Sequence, residues 1–293
     1  MTNTHSPSDK AKEAANREIK TWARGAPPRE GYYIPHRYAG KSVQPNPPQW
    51  LRHALDASFA PSTERLDTAR TFSAELGTLA KICDEDPQGA RFDQQWFTGL
   101  DATMAYTTVR HFQPRTIIEV GSGHSTRFMA KAIGDGELDT RLVSVDPQPR
   151  REIDALCDRV VREPLNENIL DEFATLEPGD ILFLDGSHIL MPGTDVELVF
   201  THILPVLPGG VHLHIHDMFL PDSYPVEWTW RNYNEQPMVV ALLGTGVLEI
   251  QAANAWLRRY HPKSLDGVFA PCTVGAFESS LWLKTRAGGG CEL

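Results

Sequence analysis

Between Thr116 and Asp217 the chain alternates short apolar runs with segments patterned as helices, and this restricts the fold more than any other feature. TIIEV (116–120), RLVSVD (141–146), RVVRE, DILFLDGSH (180–188) and GGVHLHIHD read as strands. STRFMAKAI (125–133), RREIDALC, LDEFATL and VELVFTHILPVL read as the helices between them. The alternation predicts an α/β fold: a doubly wound, mostly parallel sheet with ligands at the carboxyl ends of its strands. A later helix at NEQPMVVALL and two late strands near VLEIQ and SSLWLKT complete the pattern.

The rest of the chain is organised around that block. Residues 1–30 are polar and read as a mobile N-terminal segment, turning helical near KAKEAANREIKTWA. Residues 31–110 read as a helical cap or arm. Its first part, GYYIPHRYAGKSVQPNPPQW, is too rich in proline for a long helix. From Gln49 to Arg110 the pattern is helical: Leu66, Ala69, Phe72, Leu76 and Leu79 recur at helix spacing, as do Phe97, Leu100, Met104 and Val109. Residues 111–285 form the expected catalytic domain, and 286–293 a loose tail.

Composition narrows the class of partner. A formal charge of −10 argues against a broad nucleic-acid surface. Cys83, Cys157, Cys272 and Cys291 form no CxxC pair and read as reduced thiols of a cytoplasmic protein. The N-terminus lacks a signal-peptide core, and no apolar run reaches the ~18 residues of a membrane span. The expected partner is a small-molecule substrate; a homo-oligomer is compatible with the sequence.

Chemistry concentrates at the strand ends. EVGSGHST, Glu119 to Thr126, puts a Gly-rich turn between strand and helix, where the backbone can approach a ligand closely. The dinucleotide fingerprint would need Gly or Ala at position 126, where Thr126 stands, which counts against a pyrophosphate and a nicotinamide dehydrogenase. Glu119 would repel a pyrophosphate but suits a cationic or amino group. Asp146, at the next strand end, is placed to accept from ribose hydroxyls. Together these residues point to a nucleoside ligand.

With EVGSGHST at the first strand, LDGSH at the fourth and HIHDMFLPDSYPVEW at the fifth, the chain resembles the class I S-adenosylmethionine-dependent methyltransferases, in particular a bacterial small-molecule subgroup. FDQQWFTGLDA and SLWLK extend the resemblance to roughly residues 90–285. It implies a Rossmann-like methyltransferase fold with S-adenosylmethionine as cofactor. Glu119, Gly121, Ser122, Gly123, Ser125 and Thr126 would hold the amino-acid part, Asp146 the ribose, and Asp185 would also touch the cofactor. Leu165 and Asn166 would lie near the adenine.

Methyl transfer is an in-line displacement, so a hydroxyl acceptor needs alignment and either a base or a metal that lowers its pKa. Asp185 and His188, at the end of LFLDGSH, and His216 and Asp217, at the end of the fifth strand, are the candidate catalytic residues, with His188 as base. His212 reads as framework and His214 as support. Tyr224 and Trp228 in the Pro-stiffened loop, with His214, are candidate substrate contacts. A metal-dependent branch of the same superfamily places ligands where Asp185, His216 and Asp217 stand. The nitrogen of His216 disfavours Mg²⁺ and suits Mn²⁺, Fe²⁺ or Zn²⁺ better. The sequence leans towards a metal-free polar wall.

The expected function is methylation of a small acceptor on oxygen or nitrogen, of secondary-metabolite or sugar type. Two alternatives stay open. One is an enzyme that cleaves another sulfonium bond by intramolecular cyclisation and releases methylthioadenosine. The other is a non-catalytic binding protein on the same fold.

Overall fold

The structure, a computed structural model, describes residues 46–82 and 89–286. The expected N-terminal segment, most of the Pro-rich arm, the tail from residue 287, Cys83 and Cys291 lie outside the described residues. Among the described residues seven strands form one sheet: β1 (Thr116–Val120), β2 (Arg141–Val145), β3 (Arg159–Val161), β4 (Ile181–Leu184), β5 (His212–Ile215), β6 (Leu248–Ala253) and β7 (Leu281–Thr285). Their order is β3-β2-β1-β4-β5-β7-β6. The first five run parallel, and β7 pairs antiparallel with both β5 and β6. This is the doubly wound, mostly parallel sheet that the alternation predicts, and it matches the Rossmann-like methyltransferase fold.

β1, β4 and β5 are buried along their whole length, because helices cover both faces of a parallel sheet. Among the described residues four helices precede the sheet, the first three being α1 (Gln49–Ala57), α2 (Phe59–Thr71) and α3 (Ser73–Ile82). The spacing reading of α2 and α3 holds, since Leu66, Ala69, Leu76 and Leu79 are buried. The next helix is α4 (Gly99–Phe112). Every residue from Gly99 to Val109 is buried, and α4 packs on α5 (His124–Asp135), so it belongs to the layer covering the sheet.

Several expected elements are shorter than the sequence pattern implies. RREIDALC forms only a 3-10 turn, Asp154–Leu156. Its Ile153 is buried but its Leu156 is exposed, so the segment has no apolar face to dock as a helix. VELVFTHILPVL begins as α-helix at Asp195–Leu198, widens to a π-helix over Val199–Ile203 and tightens to 3-10 at Leu204–Val206. β4 stops at Leu184, and β5 at Ile215. Asp185, His188, His216 and Asp217 therefore all stand just past strand ends, in the crevice. No helix among the described residues is long and apolar enough to cross a membrane.

Candidate active site

The crevice starts at Gly121. Its φ of +83° lies in the left-handed region, and a Cβ there would come within 1.9 Å of the carbonyl oxygen of Asp185. Only glycine allows the β1 loop to lie against the end of β4. Gly123 carries no such demand: the nearest atom to a Cβ there is 3.7 Å away, on Arg150. Thr126, which breaks the dinucleotide pattern, has a local task. Its hydroxyl accepts from the Gly123 amide at 2.9 Å and donates to Glu119, while Ser125 donates to the other oxygen of Glu119. Burial pushes the Glu119 carboxyl up to about 8, although the two hydroxyl donors act in the opposite direction.

A cavity of about 410 Å³ opens at the carboxyl ends of β1, β2 and β4. Gly121, Ser122, Asp146, Leu165 and Asp185 line it. Of the other expected cofactor residues, Glu119, Ser125 and Thr126 are buried behind the turn. Asn166 caps the 3-10 turn that follows it, accepting from Asn168 at 2.9 Å. Asp146 accepts from the Ser122 and Gln148 amides, both at 2.7 Å, which fixes its carboxylate in the wall. Arg150, on the same wall, lies over the Trp96 ring at 4.4 Å. Sequence reasoning missed this residue.

Asp185 joins the cavity to a buried cluster. Its Oδ1 accepts from His188 Nε2 at 3.3 Å and from His216 Nδ1 at 3.2 Å. His188 Nδ1 donates to Glu235 at 2.9 Å, and Asp217 stands 3.5 Å from His188 Nε2 and 3.4 Å from His216 Nδ1. On its far side His216 Nε2 meets Asp101 of α4 at 3.2 Å. Asp101 is fully buried and also accepts from the Ser279 amide (2.8 Å), the Ser280 amide (3.0 Å) and Asn254 Nδ2 (2.7 Å). His188 and Asp217 both have φ of +57°, a strained backbone held by these partners.

The electrostatics follow from this packing. Burial opposes charge on both imidazoles, but the surrounding carboxylates outweigh it and hold His188 and His216 well above the usual histidine range. Burial would raise Asp185, yet the neighbouring His216 and His188 bring it well below the usual carboxylate range. The structure thus brings together all four expected catalytic residues and adds Asp101 and Glu235.

The remaining histidines of β5 separate. His214 is fully buried, stacks on Phe183 with ring centroids 3.6 Å apart, and shares a hydrogen with Ser280 at 2.8 Å. It does not line the cavity; as an expected substrate contact it is corrected to a core residue behind His216, 6.0 Å between rings. Its burial, with the nearby His216, lowers its pKa well below the usual value. His212 is framework, as expected, packed on Phe112 at 4.1 Å. Tyr224 is buried, its hydroxyl accepting from the Gln236 amide at 3.1 Å. Trp228 packs edge-on to Phe219 and Tyr233, and Tyr233 lies 4.6 Å from the His188 ring.

Residues 118–218, about a third of the chain, match a family model described as a methyltransferase domain. No curated protein is similar to the chain in sequence. Among solved structures it is similar to the O-methyltransferase from Bacillus cereus in complex with SAH, at 15% identity over 92% of this chain and 100% of that one, with a TM-score of 0.42. It is also similar to the SAH-bound methyltransferase PaMTH1 of Podospora anserina, at 14% identity over 98% of this chain and 100% of that one, with a TM-score of 0.40.

Proposed function

We propose that the protein is an S-adenosylmethionine-dependent methyltransferase that acts on a small molecule, at oxygen in preference to nitrogen. The observation that carries this reading is the position of Asp185. It lines the nucleoside-sized cavity and, through the same carboxylate, holds His188 and His216. A sulfonium bound with its ribose on Asp146 would then present its methyl group beside the imidazole cluster. The match of residues 118–218 to a methyltransferase domain supports the same reading.

In this reading Glu119 keeps the β1 turn in shape and Asp146 binds the ribose diol. His188, positioned by Glu235, takes the acceptor's proton on Nε2 after releasing its own Nε2 proton to solvent as substrate displaces it from Asp185 and Asp217, and Asp101 holds the orientation of His216. Incubation with S-adenosylmethionine and a panel of hydroxylated small molecules tests it. The expected product is S-adenosylhomocysteine with an acceptor heavier by one methylene. Release of methylthioadenosine would instead favour sulfonium cleavage, and cofactor binding with no turnover on any acceptor would favour a binding protein.

A specific observation supports a divalent ion at the same place. Ligand atoms of Asp185, His216 and Asp217 lie within 4.8 Å of one another. The inward-facing nitrogen of His216 is Nδ1, and its outer nitrogen is bound by Asp101, the carboxylate–histidine arrangement that orients metal-ligating imidazoles. One nitrogen and two carboxylates suit Mn²⁺, Fe²⁺ or Zn²⁺. When bound, the ion would supply Lewis acidity to an acceptor hydroxyl. Removal of metal by chelation should lower turnover at least about 100-fold, with recovery on adding Mn²⁺. Mn²⁺ binding, read by electron paramagnetic resonance, should disappear in His216→Ala. Full turnover in protein proved metal-free by elemental analysis would refute the metal reading and leave the acid–base cluster to act alone.

A further inference from the structure

The opposite end of the sheet holds a second charged cavity that the proposed reaction does not use. It has a volume of about 210 Å³ and lies between α2, α4 and the strand ends at His212 and Lys284. Arg65 of α2 forms its inner wall and is only 7% exposed. Its guanidinium donates to Thr108 Oγ1 at 3.0 Å and to His212 Nδ1 at 3.4 Å, and packs over the Phe112 ring at 5.1 Å and the Trp282 ring at 5.4 Å. No carboxylate among the described residues comes within 4 Å of it. A buried guanidinium is costly unless paired, and almost every such group in folded proteins has an anionic partner.

The neighbouring side chains deepen the positive charge. Lys284 is half-buried on the same cavity and also forms no ion pair among the described residues. His111 stands at the rim. His212 accepts from Arg65 on Nδ1, so its ring is neutral, and burial with the charges of Arg65 and Lys284 holds its pKa down to about 3. The one acid on the lining, Glu64, is exposed and pairs with neither cation. The buried guanidinium of Arg65, the ammonium of Lys284 and the Thr108 hydroxyl thus line one small, half-open cavity.

We propose that this cavity is an anion site for a phosphoryl group, bound by Arg65 and Lys284 at the far end of the sheet from the cofactor. A phosphate dianion balances the two cations, and the guanidinium fork matches its oxygens. The site stands independently of the methyl-transfer reading, because it uses none of the same residues.

The test is a titration of the full chain with inorganic phosphate, followed by calorimetry and by thermal unfolding at constant ionic strength, with sodium chloride and sodium acetate as comparisons. Phosphate should bind and raise the unfolding temperature, since a ligand that binds only the folded state stabilises it. Lys284→Ala, a half-exposed change that should leave the fold intact, should weaken phosphate binding at least about tenfold. Arg65→Met should abolish it; the methionine keeps an apolar stem against Phe112 and Trp282 and removes the desolvated charge, and Lys284→Ala decides the matter if the variant does not fold. Three results would overturn the proposal: no binding beyond the chloride control, binding unchanged in Lys284→Ala or in folded Arg65→Met, and acetate binding as tightly as phosphate.

Discussion

Gly121→Ala should abolish detectable binding of S-adenosylhomocysteine and lower the unfolding temperature by several degrees. The alanine Cβ would sit 1.9 Å from the Asp185 carbonyl oxygen, where no relaxation of a side chain can help, because the obstructing atom is backbone. The φ of +83° adds its own penalty for any residue with a Cβ. Together these cost about 2–4 kcal/mol, which the chain can relieve only by moving the β1 turn away from the end of β4. That movement separates Ser122 and Asp146 from Asp185, so the cofactor wall and the imidazole cluster fail together. We expect affinity to fall at least about 100-fold, equivalent to the lower part of that energy range. Gly134→Ala is the control: a Cβ at that helical position meets nothing within 4 Å, and the fold should tolerate it or gain slightly. Calorimetry and thermal unfolding on both variants decide the matter, and normal cofactor affinity in Gly121→Ala would show that the turn does not depend on this close approach.

Asp101→Asn should be the most destabilising single-atom exchange in the site. The carboxylate is fully buried and every partner around it is a donor: two amides, the Asn254 side chain and His216. An asparagine must turn its NH₂ group towards at least one of those donors, and it removes the charge that steadies His216. Breaking a buried charge pair in this way costs about 3–5 kcal/mol. Denaturant unfolding should register that loss, and turnover should fall by about 100-fold or more because the imidazole loses its orientation. Asp93→Asn, which breaks an exposed pair with Arg91, should change stability by less than about 1 kcal/mol. A stable Asp101→Asn protein with normal turnover would mean that Asp101 neither holds the fold nor orients His216, and a destabilised protein with normal turnover that it is only a structural acceptor.

How far the sequence could be read depended on the range of the interactions. The sheet was legible because its strands are local apolar runs, and Asp185, His188, His216 and Asp217 were legible because strand ends are where such a fold places its chemistry. Asp101 was not, since it lies 115 residues from His216 and sits within a helix that reads as ordinary core. Glu235 could be seen at a helix start, but only packing shows that it faces His188 across 47 residues of chain. The histidines of β5 were legible as one face of a strand. Their division into framework, core stack and site came from contacts distant in sequence: α2 meets His212, Phe183 and Trp282 of the neighbouring strands enclose His214, and α4 meets His216. Thr126 shows the converse case: its departure from the glycine pattern counted against a dinucleotide, while its bond to Glu119 explains what a threonine does there.

The central claim is that the cavity beside Asp185 binds a nucleoside sulfonium with its ribose on Asp146. Calorimetric titration of S-adenosylhomocysteine into the wild-type chain and into Asp146→Ala tests it most directly. The account predicts one site per chain in the wild type and at least about a tenfold loss of affinity in the variant, the worth of a charge-assisted pair of hydrogen bonds, with both proteins folded. No binding by the wild type, or equal binding by the two proteins, would contradict it.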